Sequence, residues 1–310
     1  MGGEVKLSLF PLKAGAFGVS PFPQQAGHVF LPFRKTSLHL GLLLIEYTVM
    51  IKKIDFDLPF PFELYLPEGK GPFPLICQTP ILGRLLFLPD LFFERRFARF
   101  FASHGFATAL IERPFFEFNP SDGLKQIQTY LDESVERNRK VLDHLVDQKE
   151  IDSGRVASFG ISFGAVVNTL WAAREPRFKA HVFTLVGGNL PEILVTSRDP
   201  LMRSYMRPIL DFARRENLNL TEVLRKTLKS DPLDAAGSIP KEKVLMLLAR
   251  FDHVIYSKYG LALREKLGNP ETIFLPLGHY TTLLVEPILR WKVLGFFKRK
   301  LPSQPNPPNL

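Results

Sequence analysis

Gly160-Ile161-Ser162-Phe163-Gly164 places a serine between two glycines, with apolar runs on both sides. Val156 to Phe159 reads as the end of a strand, and Ala165 to Trp171 as a buried helix. On a tight strand-to-helix turn, the serine hydroxyl stands above the sheet and the first amides of the helix point at whatever it attacks. A side chain at either flanking position would collide with the neighbouring strand or helix, which gives a reason for glycine there. The pentapeptide alone fits a structural glycine-rich turn equally well, so a site has to be sought elsewhere in the chain too.

A serine hydroxyl is a weak nucleophile at neutral pH and needs a base to take its proton. The base in turn needs an acid to orient it and to stabilise the imidazolium. Two later strand patterns end in suitable residues. The run at 244–249 is followed by Arg250-Phe251-Asp252-His253, and the run at 272–277 by Gly278-His279-Tyr280. Asp252 is therefore the candidate acid and His279 the candidate base. His253 would compete with Asp252 for one loop position and is read as a bystander. His104 and His144 fall on helices, His28 and His39 precede the sheet, and His181 starts a strand at the wrong end. Asp231 and Asp234 are fallback acids, placed in an insertion rather than at a strand end.

An acyl tetrahedral intermediate also needs donors set in advance for its oxyanion. The backbone N–H of Phe163 is one candidate. The second is expected from the loop after the strand at 73–79, with Ile81 first and Leu82 as the alternative. Pro80 has no N–H and cannot serve.

These positions require a scaffold of alternating strands and helices. Strands are expected at 42–49, 62–66, 73–79, 106–111, 156–161, 180–186, 244–249 and 272–277, the second as a half-exposed hairpin strand. Helices are expected at about 88–104, 124–148, 165–171, 257–267 and 286–301. The expected fold class is α/β, a mostly parallel sheet of about eight strands with helices on both faces. Sites in such sheets form at the carboxyl ends of the strands. Residues 190–240 are polar, helical and punctuated by five prolines, which suggests a small lid-like insertion within a domain spanning 38–301. Residues 1–37 read as an irregular arm and 302–310 as a disordered tail.

Composition narrows the functional classes. The chain has 310 residues, with 40 Lys and Arg against 31 Asp and Glu, a net charge of +9. The basic residues are dispersed over helices, so solvated faces are expected and a nucleic-acid partner is not. The one cysteine, Cys77, lies in an apolar run and reads as an inert buried thiol. No phosphate-cradling loop or zinc motif occurs, and no cofactor or metal is expected. The most apolar stretch, Leu38 to Met50, is broken by His39, Gly41 and Glu46 and is too short to span a bilayer. With no secretory signal pattern at the amino terminus, a cytoplasmic location is expected.

The order Ser162, Asp252, His279, the lead-in Asp152-Ser153-Gly154-Arg155-Val156, and the segments Leu247 to Asp252 and Leu277 to Tyr280 resemble the α/β-hydrolase superfamily, of the serine esterase and dienelactone-hydrolase-like kind. The resemblance covers about residues 40 to 300. It implies hydrolysis of an ester, thioester or amide of a small acyl substrate, without a cofactor. The chain departs from many members at Thr79-Pro80, where they carry His-Gly, and at Ala249-Arg250, where they carry Gly. A fold member that binds a ligand or partner without turnover, an acyltransferase and a peptidase are the alternatives.

Overall fold

A computed structural model describes residues 50–52, 60–82, 91–114 and 124–302. The expected arm at 1–37, the strand at 42–49 and the tail beyond Pro302 lie outside the described residues.

Eight strands form one sheet: β1 Met50–Lys52, β2 Phe62–Leu66, β3 Phe73–Thr79, β4 Ala107–Ile111, β5 Ile151–Ile161, β6 Phe178–Thr184, β7 Val244–Ala249 and β8 Glu271–Leu275. Their order across the sheet is β1-β2-β4-β3-β5-β6-β7-β8. The β1–β2 and β2–β4 pairs are antiparallel, and all pairs from β4 to β8 are parallel. The parallel strands are unbroken apolar runs because both their faces are covered.

Helices α1 Phe92–Ala102 and α9 Glu286–Lys300 cover one face. Phe97, Phe100 and Phe101 of α1 meet Phe159 and Ile161 of β5 and Val293, Leu294 and Phe297 of α9 there. The other face is covered by α2 Lys125–Val146, α3 Phe163–Ala172 and α8 Ser257–Lys266. Ile127, Leu131, Leu142 and Leu145 of α2 form the buried helical stripe that their spacing predicts. The α1 helix stops at Gly105, whose φ of 90° suits only glycine without strain.

Between β6 and β7 the chain forms α4 Leu190–Thr196, α5 Pro200–Arg215, α6 Leu220–Thr227 and α7 Pro232–Ala236. Leu190, Ile193, Tyr205, Met206 and Leu224 of this segment belong to the same buried cluster as α2 and α3.

Two expectations are corrected. The strand at 62–66 is not half-exposed, although it pairs antiparallel with its chain neighbour β1 as a hairpin strand does. All five residues of β2 are buried, and the strand lies between β1 and β4. Its polar residues are covered because α1 supplies partners: Arg95 Nη2 donates to Glu63 Oε1 at 2.7 Å, and the Tyr65 hydroxyl donates to Glu63. His181 does not start a strand but sits within β6, 2% exposed, with Nδ1 2.8 Å from Ser158 Oγ on β5.

Candidate active site

The elbow begins where the ladder of β5 ends. Ser162 N–H still donates to Thr184 O of β6 at 2.8 Å, as a strand residue would. Its carbonyl already accepts from Ala165 and Val166, as the residue capping a helix does. One residue thus closes a strand and opens a helix, and the backbone turns sharply there, with φ 54° and ψ −123°. Holding a non-glycine residue at such a φ costs about 1–3 kcal/mol. The glycines make the turn possible. A Cβ on Gly160 would lie 2.6 Å from the carbonyl oxygen of Gly164, and one on Gly164 would lie 2.6 Å from that of Pro80. Neither neighbour can swing away as a flexible side chain would. Thr79 at the end of β3 clasps the turn from beside, its hydroxyl 2.7 Å from Gly164 O and 3.2 Å from Phe159 O.

The candidate acid and base lie in the loops that follow β7 and β8. Past the end of β7, Arg250 N–H donates to Leu275 O at 2.9 Å and Phe251 N–H to Leu277 O at 3.0 Å. These bonds hold the loops after β7 and β8 together and bring Asp252 beside His279. His279 Nδ1 donates to Asp252 Oδ2 at 2.7 Å, the tautomer assigned from the carboxylate being an acceptor. The other ring nitrogen, Nε2, accepts from Ser162 Oγ at 2.9 Å. The second oxygen of Asp252 accepts from the N–H groups of Val254 and Ile255 at 2.8 and 2.9 Å. Asp252 and His279 are buried, at 4% and 9% exposure, whereas Ser162 is half-buried. Hydrogen-bonded, dry surroundings of this kind hold the imidazole in one tautomer and one orientation.

The other candidates fall elsewhere. His253 is exposed and contributes its carbonyl to Arg198 N–H at 3.1 Å. Asp231 accepts from the N–H groups of Asn189, Leu190 and Leu233, which ties α4 to α7.

The expected oxyanion donors are placed unequally. Phe163 is the first residue of α3, where an N–H has no partner within its own helix. Ile81 N–H, by contrast, already donates to Glu94 Oε1 of α1 at 2.9 Å. A substrate oxygen at Ile81 N–H would have to displace the Glu94 carboxylate. Glu94 is 2% exposed, and its own carbonyl accepts from Gln78 Nε2 at 3.2 Å, so it binds the end of β3 twice. Leu82, the alternative donor, is the last described residue before 83–90.

Two further contacts were not legible in the sequence. The Tyr280 hydroxyl donates to Asp199, the residue that caps α5 by accepting from Met202 N–H at 2.8 Å. This strut joins the loop of His279 to the helices between β6 and β7. Burial, then the Asp199 carboxylate, push the Tyr280 hydroxyl above the usual tyrosine range. The second is the Thr79 clasp. An Asp-Pro pair is a readable helix start, but neither partner residue could be inferred from spacing.

A small cleft opens beside the elbow, lined by Pro80, Arg113, Tyr130, Asn138 and Phe163 among others. Among the described residues, no group of three or more His, Cys, Asp or Glu could hold a metal ion. Cys77 is fully buried, and that burial raises its thiol above the usual range.

Solved structures with this arrangement of strands and helices are numerous. The acylaminoacyl peptidase of Pyrococcus horikoshii superposes with a TM-score of 0.59 at 18% identity, over 84% of this chain and 42% of its own. A cold-adapted esterase from an Arctic intertidal metagenomic library superposes with a TM-score of 0.53 at 16% identity, over 82% and 93%. The chain has the α/β-hydrolase fold. In sequence, the chain is 33% identical to esterase FrsA of Escherichia fergusonii over 123 residues. That match takes in 39% of this chain and only 27% of the relative's length. No protein-family model matches the chain.

Proposed function

We propose that this α/β-hydrolase-fold chain is a serine hydrolase that cleaves a carboxylic ester or related acyl bond of a small substrate. The observation that carries this reading is the unbroken hydrogen-bond chain from Ser162 Oγ through His279 to Asp252, at the carboxyl edge of the sheet. The esterase name of its FrsA relatives supports the choice of ester.

In this reading Ser162 Oγ attacks the substrate carbonyl carbon as its proton passes to His279 Nε2. Asp252 keeps Nδ1–H in place and stabilises the imidazolium. The carbonyl oxygen becomes an oxyanion facing Phe163 N–H at the start of α3. Collapse of the intermediate expels the alcohol, which takes the proton from Nε2 and leaves an acyl group on Ser162. Water, relieved of a proton by the same nitrogen, then attacks the acyl carbon and restores the serine. The second oxyanion donor is Leu82 N–H, or Ile81 N–H once Glu94 lets it go. The cleft along Phe163 and Tyr130 is where we place the acyl group. A cytoplasmic setting belongs to the same reading.

Labelling with a fluorophosphonate probe tests it. The folded wild type reacts, and Ser162→Ala abolishes the reaction without lowering the melting temperature. A folded wild type that does not label overturns the hydrolase reading and leaves a ligand-binding fold member. Hydrolysis, acyl transfer and peptidase activity share this machinery, and product analysis over esters, amides and acceptor alcohols separates them.

A further inference from the structure

The outer side of α9 does not look like an ordinary solvated helix. Leu284, Ile288 and Trp291 follow one another at spacings of four and three, and are 72%, 61% and 53% exposed. That spacing puts them on one side of the chain as Thr281–Val285, a short 3-10 turn, runs into α9. The remaining fully exposed residues of α9 are Lys292, Lys298 and Arg299, so every such residue on this helix is apolar or basic. The acids of α9 and its surroundings are already engaged. Glu286 is buried, with Arg96 and Arg290 beside it, and Glu271 pairs with Arg299. Trp291 stands edge-on to Phe100 and His104 of the α1 segment, with ring centroids 4.9 and 4.8 Å away. These contacts fix one edge of its surroundings while about half of the residue stays exposed. Phe251 and Tyr280, the chain neighbours of Asp252 and His279, are exposed as well, at 62% and 41%.

Apolar side chains exposed in a row cost solubility unless something covers them. A second copy of the chain is a poor occupant for this face. Isologous pairing would bring a like basic set against Lys292 and Lys298 on a chain of net charge +9. An anionic lipid surface suits both features: Trp, Ile and Leu enter the headgroup boundary while Lys and Arg meet lipid phosphates. No helix among the described residues is long and apolar enough to cross a membrane, so contact here would be from one side.

We propose that the Leu284-Ile288-Trp291 face of α9 docks this protein on an anionic lipid surface, with Lys292 and Lys298 against the headgroups. The face begins five residues after His279, so docking sets the Ser162 site beside the lipid. The proposal does not depend on what that site catalyses.

The two tryptophans give a direct assay. Trp171 is 1% exposed and supplies a constant signal, while Trp291 reports the face. The full chain is mixed with vesicles of phosphatidylcholine alone, or of equal parts phosphatidylcholine and phosphatidylglycerol. Expected is co-sedimentation with the mixed vesicles and a blue shift of the emission, both weakened by added salt. Ile288→Ser should lower the partition coefficient roughly tenfold, and Lys292→Gln with Lys298→Gln should remove most of the salt dependence. Trp291→Phe should still bind but lose the blue shift. All these positions are exposed, and unchanged melting temperatures confirm that the variants fold. Absence of binding to mixed vesicles overturns the proposal. So does equal binding to both vesicle types, and so does a dimer in sedimentation velocity that Ile288→Ser dissociates.

Discussion

Lowering the pH should destabilise the chain through one buried histidine, His181. It sits between Phe178 and Phe183 in β6, ring centroids 5.3 and 5.8 Å away, with Nδ1 facing Ser158 Oγ. Burial, and secondarily the nearby Lys243 ammonium, lower its pKa from 6.5 to about 3. The folded protein therefore keeps this ring neutral at a pH where the unfolded chain has protonated it. Below pH 6.5 the unfolded state holds one more proton, and stability falls as pH falls, until folded His181 also protonates near 3. The slope over that window approaches about 1.4 kcal/mol per pH unit from this group. Between about pH 7.5 and about pH 5 the loss amounts to roughly 2 kcal/mol. Urea unfolding at both pH values measures it, comparing wild type with His181→Gln, which keeps a polar partner for Ser158 but does not titrate. Carboxylates shared by both proteins drop out of the difference. The variant should lose about 2 kcal/mol less than the wild type on acidification. Parallel losses in the two proteins would show that His181 is not held neutral in the fold.

Three further outcomes follow from the geometry. Gly164→Ala sets a Cβ against the Pro80 carbonyl and should cost about 2 kcal/mol in urea unfolding, with loss of fluorophosphonate labelling; an unchanged midpoint contradicts the close approach. Asp252→Asn should reduce ester turnover by about 10⁴-fold at unchanged melting temperature, because the amide no longer fixes the His279 tautomer; a loss below tenfold removes Asp252 from the proposed machinery. Glu94→Ala should slow fluorophosphonate labelling about tenfold, while Glu94→Gln, which keeps an acceptor for Ile81 N–H, should not; faster labelling of the alanine variant would mean that the carboxylate obstructs the oxyanion position.

Strands with one environment along their length were the most readable elements. The boundaries of β3 and β7 match the expected 73–79 and 244–249, because both are apolar runs ended by turn residues. β5 was read short, since Asp152-Ser153-Gly154 has turn chemistry. In the structure those residues bulge within the strand, Asp152 accepting from Gly154 N–H and Arg155 Nε while the pairing with β3 slips between Pro74 and Leu75. β2 was bounded correctly and misjudged in burial, because alternation of polar Glu63 and Tyr65 looks the same whether water or Arg95 lies opposite. At the candidate site, Ser162, Asp252 and His279 could be singled out because each lies just past the end of a strand, and strand ends converge in a parallel sheet. The engagement of Ile81 by Glu94 could not be foreseen. It depends on how α1 rotates over the sheet, and a helical stripe of phenylalanines does not give the position of one carboxylate within it.

The Thr79 hydroxyl reaches two carbonyls of a segment eighty residues further along the chain, one before and one after the serine. Ser162 thus rests in an unfavourable backbone shape only while β3 and β5, neighbours in mid-sheet, stay side by side. Relaxation of the elbow by itself would leave the buried threonine hydroxyl without the carbonyls it reaches. Heating should therefore extinguish the reactivity of the serine at the temperature where the central sheet comes apart, and not before, so that one thermometer reading serves for both events.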